Sequence, residues 1–264
     1  MSNYLEIIND KSNIIINESF ENLTLLRKTV INKEGDGAKN DTYTFNSSGY
    51  AGINNSTGNS DYPYWYHVLV PANPNIITFV NCELPDVPIH ICDICAYETK
   101  LNAKLITVFI PKNKTIDYVK GKLVVYEFSF SGIETSNGMG LKLYNDSGKC
   151  LFDSNMKYLN IIKAMTYPDD INGASWGADK VAVHFSDFRM IIGRGSGSTV
   201  NFPCCLFNEN KTFTWKRIRL VNQNQYKNNI WGIGSVNLDE IDDGASREEI
   251  LLYSPMLVAD VTNY

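Results

Sequence analysis

The sequence predicts an all-β protein built as two tandem, related β-sandwich-like domains. Three observations predict it. Short apolar runs rich in β-branched and aromatic residues recur along the chain, broken by Asn, Gly, Ser and Pro. Long helical periodicity is hard to find. The chain also overlies itself when shifted by 136 residues. A length of 264 residues allows one or two domains, and two of ~130 residues can each bury roughly two-thirds of their chain surface.

The repeat comes first in chain order. Tyr4–Lys28 lies over Gly140–Ala164 without a gap. Leu5, Asn9, Asp10 and Leu23 meet Leu141, Asn145, Asp146 and Leu159 as identities, and the apolar positions keep register. In the second copy, Leu141–Tyr144 reads as a strand entering the turn Asn145-Asp146-Ser147-Gly148. Asn and Asp bond back to their own backbone there, and Gly supplies positive φ. Cys150–Phe152 returns as a hairpin, Asp153-Ser154-Asn155 breaks it, and Tyr158–Ile162 forms a third strand. In the first copy Asn9-Asp10-Lys11-Ser12 turns the chain, with Ser12 in place of the Gly.

The remaining strands follow by content. Leu105–Ile110 and Val181–Phe185 have strand length. Lys122–Phe130 is the clearest, with Val124, Tyr126, Phe128 and Phe130 on one face and Leu123, Val125, Glu127 and Ser129 on the other. Phe213–Leu220 alternates in the manner of a partly exposed strand, and Ile250–Val258 is the counterpart of Lys122–Phe130. Ser246–Leu252 has capping-box spacing and reads as one or two helical turns. The polar stretch Ser131–Met139 sets the boundary, giving domains at 1–132 and 137–264.

Composition excludes several function classes. A net charge of −5 offers no field to attract nucleic acid or an anionic membrane. No apolar run approaches the ~18 residues of a spanning helix. Met1–Lys11 carries Glu6 and Asp10 and lacks a basic-then-apolar pattern, so synthesis in a cytoplasm is expected. The six cysteines are then reduced thiols, mostly small core residues.

The run Gly140–Ser154, GLKLYNDSGKCLFDS, resembles a hairpin motif of bacteriophage and prophage tail-associated proteins, often encoded among tail-tip or tail-fibre genes. The matching positions are Gly140, Leu141, Leu143, Tyr144, Asn145, Gly148, Phe152, Asp153 and Ser154. The first copy is degenerate, with Tyr4 for the first Gly and Ile16-Asn17-Glu18 for the last three residues. The resemblance implies a virion or virion-assembly protein made in a bacterial host and placed in the tail, without catalytic activity. Its partners are other tail proteins and further copies of itself in a symmetric assembly. The motif residues read as fold-forming, so no functional site carries over.

Candidate chemistry is sparse. His90-Ile91-Cys92-Asp93-Ile94-Cys95, with Cys82 upstream, could supply four zinc ligands, but no second C-x-x-C accompanies it and core thiols explain the pattern. The expectation is therefore no metal and no cofactor. Ser196 sits in G-x-G-S-G, which is not a nucleophile elbow. The remaining histidines, His67 and His184, show no triad pattern. Asp169-Asp170 and Asp239-Glu240 with Asp242-Asp243 are adjacent acids in Gly-containing loops, which seldom face across a glycosidase cleft. Lys216, Arg217 and Arg219 make a small basic patch without an aromatic platform. Tyr62, Tyr64, Trp65 and Tyr66 form the best recognition cluster, able to stack on a host receptor glycan or on a neighbouring subunit. The alternative role is thus a receptor- or glycan-binding module.

Overall fold

The computed structural model describes residues 5–9, 12–16, 23–35, 41–47, 61–96, 101–129, 138–144, 147–166, 177–185, 191–193, 199–208, 212–221 and 255–264. Strands account for nearly all of its regular structure, joined by one 3-10 turn at Ile116–Tyr118. The first half supplies β1 (Leu5–Asn9), β2 (Ser12–Ile16), β3 (Thr24–Ile31), β4 (Asn46–Ser47), β5 (Tyr64–Pro71), β6 (Ile76–Cys82), β7 (Ile89–Ala96), β8 (Leu101–Ile110) and β9 (Leu123–Ser129). The second supplies β10 (Lys142–Tyr144), β11 (Cys150–Asp153), β12 (Asn160–Thr166), β13 (Val181–Phe185), β14 (Ile191–Gly193), β15 (Thr199–Asn208), β16 (Thr212–Val221) and β17 (Pro255–Asp260). The all-β expectation holds. The helical turns expected at Ser246–Leu252 lie outside the described residues.

Two sheets carry the fold. The order is β12-β17-β13-β6-β9-β3 in one and β14-β15-β7-β8-β5-β4 in the other, with β16 also on β15. Neither sheet divides at 132–137. Each takes strands from both sides of that boundary, and one apolar core runs across it, from Ile31, Val80 and Val125 to Val183, Cys205 and Val258. The tandem repeat is therefore folded into one sandwich, because each half leaves a strand edge that the other half covers.

The repeat is visible in the backbone. Hairpin β1–β2 runs from Leu5↔Ile16 to Asn9↔Ser12, and hairpin β10–β11 occupies the equivalent place in the second copy. Thr24 and Asn160, 136 apart, each open the third strand. Each third strand pairs with its half's last strand through a β-bulge at the same repeat position, between Leu25 and Arg27 and between Ile161 and Lys163. The last strands β9 and β17 then pair with β6 and β13. These two middle strands meet antiparallel at Val80↔Val183. The ladders make Phe79 and His184 equivalent, and their rings lie 5.6 Å apart.

A second meeting point repeats this relation. Leu25 N–H donates to Lys157 O at 2.8 Å, and Leu159 N–H donates to Leu23 O at 2.9 Å. Leu23 and Leu159 are identical residues in the repeat. The bridge Thr24↔Tyr158 joins the two edges of the six-stranded sheet, so that sheet curls back on itself. An approximate two-fold axis passes between Leu23 and Leu159 and between Phe79 and His184. Across the sandwich, Cys205↔Ile89 joins hairpin β15–β16 to hairpin β7–β8 in the same head-to-tail sense.

Along the central strands of the six-stranded sheet both faces are buried. Leu123 and Val125 face the core between the sheets. Val124, Tyr126 and Phe128 face a second cluster with Phe79, Ala182, Ala259 and Val261, inside the curl. The alternation expected for Lys122–Phe130 is thus present, with each face meeting its own apolar cluster.

Candidate functional site

The hairpin Gly140–Ser154 is built by the residues that make its sequence distinctive. A Cβ on Gly140 would collide with Ser154 Oγ and come within 2.6 Å of Asn155 Nδ2, so any other residue would force those two side chains to move. Leu141 N–H donates to Ser154 Oγ at 2.9 Å, and Ser154 N–H donates to Leu141 O at 2.9 Å. Gly148 has φ of +79°, the left-handed turn conformation glycine adopts without strain. The buried Asp153 carboxylate accepts Asn155 N–H at 2.9 Å. Tyr158 OH donates to Asp153 O at 3.1 Å, and its ring stacks on Phe152 at 5.1 Å. Asn145 lies outside the described residues. Locked this way, the hairpin leaves Met139, Leu141 and Tyr144 exposed at 99%, 49% and 53%.

The aromatic cluster is split by its strand. Tyr62 and Trp65 are buried, Tyr66 packs half-buried against the central core, and only Tyr64 presents its ring to solvent. Tyr64 opens β5, and successive residues then alternate between the core and the outer face. Trp65 is therefore a packing residue, and a stacking platform of four rings does not form.

Two of the four candidate zinc ligands, Cys82 and His90, are also parted. Cys82 points into the core between the sheets, alongside Ile89 and Ile91. His90, between those two isoleucines, takes the opposite face of β7. The side chains of Cys92 and Cys95 lie outside the described residues. Among the described residues no group of three or more His, Cys, Asp or Glu could hold a metal ion. The acidic pairs and Ser196 lie outside the described residues, as do the side chains of Lys216, Arg217 and Arg219 on β16.

Strand register assembles a site that spacing along the chain hides. Asn46 pairs with His67, His67 with Thr107, and Thr107 with His90. These four polar residues form one row across β4, β5, β8 and β7, each at most 2% exposed. Trp65, Leu69, Leu105 and Phe109 share their face and are buried. Among the described residues, Asn46 Oδ1, both ring nitrogens of His67 and Thr107 Oγ1 have no hydrogen-bond partner. Burial pushes His67 down to about 4, so its ring is neutral. No sequence motif links these residues, since 17 to 40 residues separate successive members of the row; only the ladder does.

A separate cleft of about 280 Å³ opens where the chain ends, lined by Met156, Lys157, Asn160, Asp260, Asn263 and Tyr264. Lys28 Nζ donates to Tyr264 O at 2.9 Å, which ties the terminus to β3. No protein-family model, curated protein or solved structure matches this chain.

Proposed function

We propose that this chain is a structural protein of a bacteriophage tail, at the tail tip, the baseplate or a fibre attachment point, acting by protein–protein assembly. The supporting observation is the hairpin. Its polar residues bond to one another within the hairpin and its connection, while Met139, Leu141 and Tyr144 face outward. Side chains presented on a rigid support in this way suit a contact with another chain. The sheet edges add to this surface, with Leu26 and Val30 exposed on β3 and Ile161 on β12. Further copies of this chain and other tail proteins are the partners of this reading.

The test is incorporation into particles. Met139→Ser, Leu141→Ser and Tyr144→Ser combined should leave the chain folded and deplete it from purified particles of the phage that encodes it. Undiminished incorporation contradicts assembly through this face.

The cleft at the C-terminus favours a second reading, a receptor- or glycan-binding module. Amide and carboxylate groups beside an aromatic ring suit a polyhydroxylated ligand. Asn160→Ala and Tyr264→Ala should then abolish attachment to host cells without affecting incorporation.

A further inference from the structure

Neither reading uses the buried row on the seven-stranded sheet. Buried polar atoms are almost always hydrogen-bonded, and an unsatisfied one calls for a water, an ion or a functional role. Here such atoms recur in register on three neighbouring strands, Asn46 Oδ1, His67 Nδ1 and Nε2, and Thr107 Oγ1. We propose that His67 and His90 together hold a divalent transition-metal ion of the zinc class above Thr107.

The register supplies the span. His67 and His90 flank Thr107 on adjacent strands and the same face. Strands lie about 4.8 Å apart, so the two histidine backbones stand ~10 Å apart. Two imidazoles leaning inward, each with a metal–nitrogen bond of ~2.0–2.1 Å, cover that distance. The residue between them is small, and its side chain takes the same face. On the far side of His67, Asn46 continues the row in register, its amide donating to Asp41 O and Thr44 O.

The donor set selects the ion. Imidazole nitrogen suits zinc, copper, nickel and iron, whereas calcium and magnesium take oxygen ligands. Neutral imidazole is the form that ligates metal. The H-x-C segment thus contributes its histidine through a partner 23 residues upstream by number, on a strand two positions away. Cys82, on the opposite face, takes no part.

The test is the metal content of the intact chain. Protein purified from zinc-supplemented cells should carry about one zinc per chain by elemental mass spectrometry. His67→Gln and His90→Gln should each drop this to background with the β-sheet circular dichroism retained, and Cys82→Ser should leave it unchanged. Should a glutamine variant not fold, cobalt added to the wild-type chain decides. Imidazole-ligated cobalt(II) gives visible d–d bands, and zinc should abolish them. Wild-type protein that retains no transition metal after zinc loading and dialysis, and gives no cobalt spectrum, overturns the proposal. So does a folded His67→Gln chain with full zinc.

Discussion

The two halves of the six-stranded sheet follow one backbone plan and fill it with unlike side chains. β3-β9-β6 and β12-β17-β13 carry the same pairings and the same bulge. At equivalent ladder positions, Tyr126, Phe128 and Ile77 of the first half stand where the second has Leu257, Ala259 and Ala182. Inside the curl, these large residues of one half and small ones of the other share one apolar cluster. Two identical halves would place bulky residues in both sets of positions, so the unlike fillings complement each other in volume.

The bulge teaches the same lesson with charge. In the first half Arg27 donates to Glu127, Nε to Oε2 at 2.7 Å and Nη2 to Oε1 at 3.0 Å. Glu127 is only 1% exposed, and Tyr43 OH donates to it at 3.0 Å. Burial and the Glu127 carboxylate push the Tyr43 hydroxyl up to about 12. The equivalent pair in the second half is Lys163 and Val258, an exposed cation above an apolar core residue.

The largest expected effect breaks the volume relation. Phe128→Ala makes the first half resemble the second at Ala259 and should cost about 3–5 kcal/mol in denaturant melts, since Phe79 and Tyr264 lose an edge-on ring. Adding Ala259→Phe should recover part of that loss. Strict additivity of the two penalties would mean that the sites do not share a cavity.

Next comes the charge. Arg27→Ala leaves a buried carboxylate without its cation and should cost about 3 kcal/mol, while Lys163→Ala should stay within about 0.5 kcal/mol. The double variant Arg27→Leu, Glu127→Val, which copies the apolar second half, should fall well below the single Arg27 change. Equal losses at Arg27 and Lys163 would remove the distinction between the halves.

A smaller effect belongs to the hairpin. Gly148→Ala keeps open space around the new methyl group but forces a positive φ on alanine, costing about 1 kcal/mol. The first copy carries Ser12 at this repeat position. A neutral Gly148→Ala would mean that the turn tolerates the first copy's chemistry.

The smallest effect is an expected equality. Cys82 and Cys205 face the core between the sheets, one from each half. Burial pushes the Cys82 thiol up to about 12 and raises that of Cys205 as well. Native protein should leave both unalkylated at pH 8, and denaturant should expose both together. Labelling of one alone would identify a half that opens first.

Much of this was legible in the sequence. The shift of 136 residues located both hairpins and both third strands, because apolar register survives where identities do not. The alternation in Lys122–Phe130 was also readable. The joining of the halves was not. Val80↔Val183 and Cys205↔Ile89 link residues more than a hundred apart, and nothing in local pattern distinguishes a strand that pairs within its copy from one that pairs across. The aromatic run Tyr62–Tyr66 misleads for a related reason, since a strand sends successive rings to opposite faces. The polar row was invisible because its members adjoin only through the ladder.

The central claim is that this chain is a tail component of a virion. The most direct measurement is electron microscopy of purified phage particles from the encoding genome, labelled with an antibody to this chain. The account predicts label at the distal end of the tail. Particles without label, from lysates in which the protein is present, would contradict it.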